Sequence, residues 1–244
     1  MPFPHGWIVP DWPVTANVRA VATTRAGGTS RGAYRGLNLA TRVGDDPRAV
    51  ESNRGTLRRH LPSDPVWLEQ VHGTEVADLD RVSSAVRADG AVARTRNRIC
   101  AVLTADCLPV LLAARAGGVV GIAHAGWRGL ANGIIEATLE RMGVAGSDVV
   151  AWLGPGIGQA AYEVGPDVYE SFVGPDPEAR AAFRPGVPGK FHADLYALAR
   201  RRLGAADVTD VHGGGFCTYS EPDRFYSYRR DRVTGRMATL VWLD

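Results

Sequence analysis

The chain has 244 residues, and its 28 Lys and Arg against 26 Asp and Glu give a formal net charge of +2 at pH 7. A composition of 45% hydrophobic and 22% charged residues is ordinary for a globular protein and argues against a wholly disordered or fibrous chain. The charge is nearly balanced and the arginines form no dense basic run, which argues against nucleic acid as a partner.

Alternating and β-branched apolar residues predict a series of strands along the chain. In chain order these strands lie near residues 18–23, 66–70, 99–103, 110–113, 119–123, 149–153, 226–229 and 237–243. Apolar residues spaced three and four apart predict helices at residues 49–60, 129–142, 167–173 and 194–203. The last two strands are predicted to form a hairpin that turns at residues 234–235.

The order of these elements indicates the fold class. Three predicted strands follow one another between residues 99 and 123, so strands and helices do not alternate regularly. We therefore expect an α+β fold of mixed β-sheets flanked by helices, rather than a doubly wound parallel sheet. The proline- and glycine-rich residues 174–189 are a candidate linker and equally a candidate surface loop. We expect one domain over residues 1–244.

The sequence indicates no targeting or membrane segment. Residues 1–13 contain prolines at 2, 4, 10 and 13 and lack the basic start and apolar stretch of a secretory signal. The longest uncharged stretch of the apolar middle, residues 116–127, is too short to cross a bilayer. Three cysteines without a CxxC pair favour free thiols over a disulfide framework. We expect a cytoplasmic protein with no membrane partner, as a monomer or small homo-oligomer.

Three segments place a metal-binding side chain just where an apolar strand is predicted to end. The segments VWLEQVHGTEV, VLTADCLPVLL and VVGIAHAGWRG supply His72, Cys107 and His124. Two imidazoles and a thiolate suit Zn²⁺, and three protein ligands leave the fourth tetrahedral position open, as in catalytic zinc sites. The three residues lie far apart along the chain and lack zinc-finger spacing, so each taken singly can equally be structural.

The chain resembles a known family over nearly its whole length. The segments LEQVHGTEV, LTADCLPVLL, AHAGWRGL, LGPGIGQAAYEVG and FYSYRRD…TGRMATL are similar, in this order, to blocks of the multicopper polyphenol oxidase or laccase-domain family. TTRAGGTS and GLNLATRVGDDPRAVESNR are similar to its opening blocks. The same family is described as purine nucleoside phosphorylase with adenosine deaminase activity, and one bacterial branch of it as peptidoglycan editing factor.

The resemblance implies a fold, a metal site and two reactions. The implied fold is similar to the catalytic domain of cytotoxic necrotizing toxins, and His72, Cys107 and His124 match the family's ligands for zinc, with copper as the alternative. The implied reactions are phosphorolysis of adenosine, inosine, guanosine or methylthioadenosine to base and ribose 1-phosphate, and deamination of adenosine. True laccase activity is disfavoured, because blue and trinuclear copper centres need about ten histidines and the chain has 6.

Each reaction needs further side chains, and the sequence offers candidates. Asp106, next to Cys107, is a candidate acid/base residue for deamination; Glu69 competes with it, and capping a turn is an equally open role for Asp106. Arg25 and Arg128 are candidate phosphate ligands, because a guanidinium can donate two parallel hydrogen bonds to an oxyanion. Their alternative roles are those of a surface arginine and a structural ion pair.

The segment GLNL favours a turn role for Asn38, and a contact with ribose hydroxyls is its other candidate role. The family likeness also implies that the C-terminal segment with Tyr226 and Tyr228 lies near the substrate pocket.

Two other functions of the protein stay open. One is a thiol hydrolase or amidase that edits peptidoglycan precursors, with Cys107 as nucleophile and His124 as its base. The other is a metal-binding regulatory protein without catalysis.

Overall fold

The computed structural model describes residues 3–82 and 85–244. Its strands are β1 (Val18–Ala22), β2 (Val66–Trp67), β3 (Val76–Asp78), β4 (Gly90–Ala93), β5 (Cys100–Thr104), β6 (Leu108–Ala114), β7 (Val120–Ala125), β8 (Val149–Leu153), β9 (Glu163–Val164), β10 (Phe183–Pro185), β11 (Phe191–Ala193), β12 (Asp210–Gly213) and β13 (Met237–Leu243). Its α-helices are α1 (Pro47–Arg58), α2 (Trp127–Asn132), α3 (Ile134–Met142), α4 (Pro166–Val173), α5 (Leu195–Ala205) and α6 (Tyr228–Asp231).

The strands form three sheets. One has four strands in the order β1-β13-β5-β2, one has six in the order β12-β8-β6-β7-β4-β3, and a small third has the order β10-β11-β9. In the six-stranded sheet β6 is antiparallel to β7 and β8, whereas β12 runs parallel to β8 and β3 runs parallel to β4. This mixture confirms the predicted α+β fold with mixed sheets flanked by helices.

Strand β6 is buried along its whole length, and its alternating side chains show how the layers stack. Leu111 and Ala113 belong to the core between the two larger sheets. Val110 and Leu112 belong to the core on the opposite face, which α3 and α5 cover. Leu57 of α1 packs on the outer face of the four-stranded sheet. The described residues therefore form four layers, in the order helix, sheet, sheet, helices.

The single helix predicted over residues 129–142 is two helices. Gly133 separates α2 from α3 with a φ of +96°, a left-handed conformation that favours glycine. Its N–H group bonds to the carbonyl groups of Gly129 and Leu130, which is a usual way to end an α-helix. The apolar spacing continues across this break, and for that reason the sequence pattern did not reveal it.

The predicted C-terminal hairpin is wrong. Residues 226–229 enter the short helix α6, which Ser227 caps by accepting a hydrogen bond from the backbone N–H of Arg230. Strand β13 pairs with β1 on one side and β5 on the other, so neither of its edges is free for a hairpin partner. Tyr226 is fully buried, whereas Tyr228 is half exposed.

Residues 174–189, the candidate linker or surface loop, contain regular secondary structure. They contain a 3-10 helix, Pro177–Ala182, followed by strand β10, and Ala179, Ala182 and Phe183 are buried in the main helical core. The sequence also missed several short strands, namely β3, β4 and β9 to β12. Over residues 3–82 and 85–244, none of the helices combines the length and the apolar character that crossing a membrane demands.

Candidate metal centre and cleft

Three strand ends meet at one edge of the six-stranded sheet. Cys107 directly precedes β6, Asp89 directly precedes β4, and His124 is the penultimate residue of β7. Because β7 is antiparallel to both β4 and β6, the starts of those two strands lie beside the end of β7. Sheet register thus brings Cys107 and His124 together, as expected from the sequence, and adds Asp89 beside them.

His72 reaches the same edge from the loop between β2 and β3. The backbone N–H groups of Val71, His72 and Gly73 donate to the carboxylate of Asp89 at 3.1, 2.9 and 2.7 Å. His72 itself has a φ of +62°, in the left-handed region that is uncommon for residues other than glycine. A single buried carboxylate therefore holds the loop in the conformation that presents this imidazole.

The ligand atoms of His72, Cys107 and His124 all lie within 4.8 Å of one another. Nε2 of His72 is 3.7 Å from Sγ of Cys107, and the two imidazole ring centroids are 4.8 Å apart. Zn–N and Zn–S bonds place the ligand atoms of a tetrahedral site about 3.3–3.8 Å apart. Small side-chain movements therefore suffice to close the three groups around one ion, and this donor set also suits copper.

Asp89 also fixes the orientation of His124. One of its carboxylate oxygens lies 2.8 Å from Nδ1 of His124, which leaves Nε2 of that ring for a metal or for Cys107. Burial alone would raise the pKa of the Asp89 carboxyl, but hydrogen bonds from His124 and from the loop N–H groups outweigh burial and lower that pKa. The carboxylate is therefore ionised and can accept all of these bonds.

Cys107 and His124 shift each other's protonation. Burial alone would raise the pKa of the Cys107 thiol, but the charge and hydrogen bonds of His124 and His72 outweigh burial and lower it to about 6. Burial alone would lower the pKa of His124, but the Cys107 thiolate and the Asp89 carboxylate raise it to about 9. A thiolate, which is the form that binds metals and attacks electrophiles, is thus favoured at neutral pH.

A cleft of about 940 Å³ opens on these side chains, and His72, Cys107 and His124 form part of its wall. This volume lies within the range of small-molecule sites, about 300–1,000 Å³. Aromatic, acidic and basic side chains also line the cleft: Trp67 and Tyr228; Asp64 and Glu69; Arg42, Arg54, Arg98 and Arg236. The position of Tyr228 agrees with the expectation that the C-terminal segment borders a pocket.

The two arginines predicted to bind phosphate lie outside the set of described residues that line this cleft. Arg25 donates to two backbone carbonyl groups, and its guanidinium lies over the ring of Tyr226, 4.7 Å from the ring centroid. Arg128 lies over its neighbour Trp127 at 4.3 Å, and within residues 3–82 and 85–244 it forms no ion pair with a carboxylate. Their role as phosphate ligands stays a prediction.

The two candidate acid/base residues occupy different settings. Asp106 is buried, and its two oxygens accept hydrogen bonds from the Thr218 hydroxyl at 2.7 Å and from the Arg229 backbone N–H at 2.6 Å. Glu69 lines the cleft, its side chain is about half exposed, and it forms an ion pair with Arg42. Of these two residues, Glu69 lines the cleft, and Asp106 is not among the described residues that line it.

Asn38 is completely buried, and protein groups use its whole side-chain amide. Its Nδ2 donates to the Ala40 carbonyl at 3.2 Å and to Asp45 at 2.9 Å. Its Oδ1 accepts from the backbone N–H groups of Ala40 at 3.1 Å and of Arg236 at 2.9 Å. Its predicted contact with ribose stays a prediction. Among the contacts that the structure provides, one holds the backbone of Arg236, a residue that lines the cleft.

Sequence reasoning missed two residues of this region. Asp89 directly precedes a strand, as Cys107 does, but β4 is only four residues long and gave no strand signal. Arg236 lies in the block TGRMATL, where a basic residue just before an apolar strand could have drawn attention to it. Both residues acquire their importance from contacts with distant parts of the chain.

The chain is similar to known proteins over nearly its full length. A family model described as multi-copper polyphenol oxidoreductase laccase matches residues 19–244. "Purine nucleoside phosphorylase PA4543" of Pseudomonas aeruginosa is 53% identical over 241 residues, which are 98% of this chain and 99% of that protein. "Purine nucleoside phosphorylase YfiH" of Escherichia coli is 49% identical over 239 residues, covering 97% and 98% of the two chains.

Two solved structures are similar in fold. The Neisseria meningitidis protein NMB0706 has a TM-score of 0.94 and 49% identity, covering 98% of this chain and 99% of that one. YlmD from Geobacillus stearothermophilus has a TM-score of 0.90 and 33% identity, covering 100% and 98%. The match extends through all of the segments that converge on the candidate metal centre.

Proposed function

The chain belongs to the family described as multi-copper polyphenol oxidoreductase laccase, and from this premise we propose that it is a metal-dependent purine nucleoside phosphorylase. The observation that carries the proposal is the placement of His72, Cys107 and His124 on the wall of a cleft large enough for a small-molecule substrate. Relatives that cover nearly the whole chain are named purine nucleoside phosphorylases, which supports the same reaction. The chain's 6 histidines again argue against laccase chemistry.

The proposed reaction converts a purine nucleoside and phosphate to the free base and ribose 1-phosphate. Adenosine, inosine, guanosine and methylthioadenosine are the candidate substrates, and deamination of adenosine to inosine and ammonia is a second proposed reaction. As the glycosidic bond loosens, positive charge develops on the sugar while phosphate approaches the anomeric carbon. Such a site needs fixed positive charges and hydrogen-bond donors more than it needs a strong protein nucleophile.

His72, Cys107 and His124 are the proposed ligands of zinc, with copper as the alternative. When bound, such an ion acts as a Lewis acid on an oxygen of the substrate or of water. Asp89 is proposed to keep the Nε2 atom of His124 directed at the ion and to keep the His72 loop in place. Both imidazole rings are then oriented before a metal ion binds.

For proton transfer in deamination we favour Glu69 and keep Asp106 as the alternative. Glu69 lies in the cleft and is half exposed, so its carboxylate can exchange a proton with a substrate. Both oxygens of Asp106 accept hydrogen bonds from the protein, which suits a residue that holds the C-terminal segment in place. Arg128, which carries no ion pair in the described part of the chain, remains a proposed phosphate ligand, and Arg25 remains a weaker one. Asn38 remains a proposed ligand of ribose hydroxyls.

One observation favours a second candidate function. Cys107, His124 and Asp89 lie in the order thiolate, imidazole, carboxylate, which is the order in a cysteine hydrolase. The ligand atoms of Cys107 and His124 lie within 4.8 Å of each other, and Nδ1 of His124 is 2.8 Å from the Asp89 carboxylate. In that case Cys107 attacks an amide or ester carbonyl, and His124 moves the proton to the leaving group. Such a thiol hydrolase uses His72 neither as nucleophile nor as base.

The experiment incubates purified protein of measured metal content with adenosine, with and without phosphate, and separates the products. Adenine and ribose 1-phosphate that form only with phosphate support phosphorolysis, and inosine that forms in both samples supports deamination. A His72→Ala variant should lose metal and nucleoside turnover together, whereas a thiol hydrolase activity should survive this change. Fully metal-loaded protein that turns over none of the four nucleosides would contradict the proposal.

A further inference from the structure

Arg236 lies in a setting that is unfavourable for a cation unless an anion joins it. Arg236 lines the same cleft as Cys107 and His72, and burial lowers the pKa of its guanidinium, while the charges of Cys107 and Asp106 oppose that shift. Unlike Arg42, which pairs with Glu69, it forms no ion pair within residues 3–82 and 85–244. A partly desolvated cation without a counter-ion costs free energy.

The hydrogen bonds of Arg236 leave one side of its guanidinium open. Nη1 donates to the carbonyl groups of Thr234 and Gly235, each at 2.9 Å. The described part of the chain provides no acceptor for Nε and Nη2. These two nitrogens lie on the same side of the planar group and form the fork that binds two oxygens of a phosphate.

The backbone at Arg236 is held rigidly. Its N–H group donates to Oδ1 of the buried Asn38 at 2.9 Å, and its carbonyl accepts from Leu39 at 3.3 Å. A Cβ atom on Gly235 would lie 2.8 Å from the ring of Tyr226 and 2.9 Å from Cβ of Asn38, so only glycine fits there. The guanidinium therefore projects from a preformed turn, and little ordering remains to be done when an anion binds.

We propose that Arg236 binds the phosphate substrate in the cleft and that Asn38 is the residue that positions it. The inference rests on the proposed phosphorolysis and names the group that holds its second substrate. In the reaction a phosphate oxygen bonds to the anomeric carbon as the bond from that carbon to the purine nitrogen breaks. The electron pair of the broken bond goes to the base, and the base takes up the proton that hydrogen phosphate gives up.

The first test measures binding of inorganic phosphate by calorimetry, without nucleoside, to metal-loaded wild type and variants. Arg236→Gln should weaken binding about 10- to 100-fold, as expected for loss of hydrogen bonds to a charged group. The phosphate affinity of Arg236→Lys should lie between those of wild type and Arg236→Gln, because lysine keeps the charge but lacks the two-pronged guanidinium. Arg232 is an exposed arginine of the same segment, so Arg232→Gln is a control with the same change in charge. This variant should bind phosphate as wild type does.

Arg128→Gln is the competing variant in that series. If Arg128→Gln loses phosphate binding while folded Arg236→Gln keeps it, the proposal is wrong. If Arg236→Gln does not fold, wild type is instead treated with phenylglyoxal, with and without phosphate, and the modified arginines are mapped by mass spectrometry. Phosphate should then protect Arg236 and leave Arg232 unprotected, and equal modification of Arg236 in both samples would overturn the assignment.

Steady-state kinetics separate this inference from the proposed function. In phosphorolysis, Arg236→Gln should raise the KM for phosphate with little change in the KM for the nucleoside, and the phosphate-independent deamination should persist. If no nucleoside reacts with wild type but phosphate binding still depends on Arg236, the proposed function fails and the phosphate site stands. If wild type is a phosphorylase and Arg236→Gln keeps the KM for phosphate, the phosphate site fails alone.

Discussion

At the scale of single residues, Asp89 connects the two histidines of the candidate metal centre. Its carboxylate accepts hydrogen bonds from Nδ1 of His124 and from three backbone N–H groups of the loop that carries His72. In the Asp89→Asn variant one carboxylate oxygen becomes an NH₂ group, which faces donors instead of accepting from them. We expect metal affinity to fall about 10- to 100-fold, as measured by competition with a chromophoric chelator.

Asp223→Asn is the matched control for this change, because Asp223 is exposed and the substitution removes the same charge. It should bind metal as wild type does. Circular dichroism must show that Asp89→Asn is folded before the affinities are compared. Folded Asp89→Asn with unchanged metal affinity would show that the carboxylate orients neither histidine.

The Cys107 thiol provides a pH-dependent prediction. Its pKa is lowered to about 6, so in metal-depleted protein its alkylation by iodoacetamide should rise through about pH 6. The thiolate is the reactive form, and the rate should therefore fall as the pH drops below that value. In His124→Gln the stabilising imidazolium is gone, and the midpoint should move upward, towards the ordinary value of a thiol.

Peptide mapping separates Cys107 from the other two cysteines in this experiment. Cys100 is completely buried and burial raises the pKa of its thiol, so it should stay unmodified while the protein is folded. Added zinc should protect Cys107. A wild-type midpoint that coincides with that of His124→Gln would contradict the proposed pairing of thiolate and imidazolium.

At the scale of elements, the break between α2 and α3 depends on one glycine. Gly133→Ala places a side chain at a φ of +96°, which should destabilise the protein by about 1–2 kcal/mol in urea unfolding. The new Cβ would also lie 3.4 Å from Nη2 of Arg202. If Gly133→Ala instead stabilises the protein, the two helices have merged and the break is not a required feature.

Gly204→Ala is a control of opposite sign. Gly204 lies within α5 and has no positive φ, and among the described residues no other element of the fold lies within 4 Å of a methyl group added to it. Alanine there should stabilise the protein by about 0.5–1 kcal/mol, because glycine loses more conformational freedom in a helix. The pair of variants thus separates backbone strain from a general preference for alanine in helices.

Elements with long regular patterns were predictable from the sequence, and those decided by a distant partner were not. Strand β13 was predicted at its observed bounds because seven consecutive residues fit a buried strand. Residues 226–229 also alternate like a strand, but β13 already has a partner on each side and the cap at Ser227 starts a helix instead. Strand β4 has four small residues, too few for any periodicity to show.

At the scale of the whole molecule, the candidate centre exists because the sheet register brings together segments that are far apart in the chain. The positions of His72, Cys107 and His124 at predicted strand ends indicated their grouping, and the family likeness supported it. The sequence did not reveal Asp89 or Arg236, whose settings arise from the β4–β7 register and from the contact with Asn38. The expectation of one domain over residues 1–244 stays a prediction.

The most direct test of the central claim is X-ray absorption spectroscopy of the zinc-loaded protein. We expect one sulfur at about 2.3 Å, two imidazole nitrogens at about 2.0 Å and one further light atom from solvent or substrate. His72→Ala should remove one imidazole contribution and weaken binding. A zinc shell without sulfur, or one completed by a fourth protein side chain, would show that these three residues do not form an open metal site.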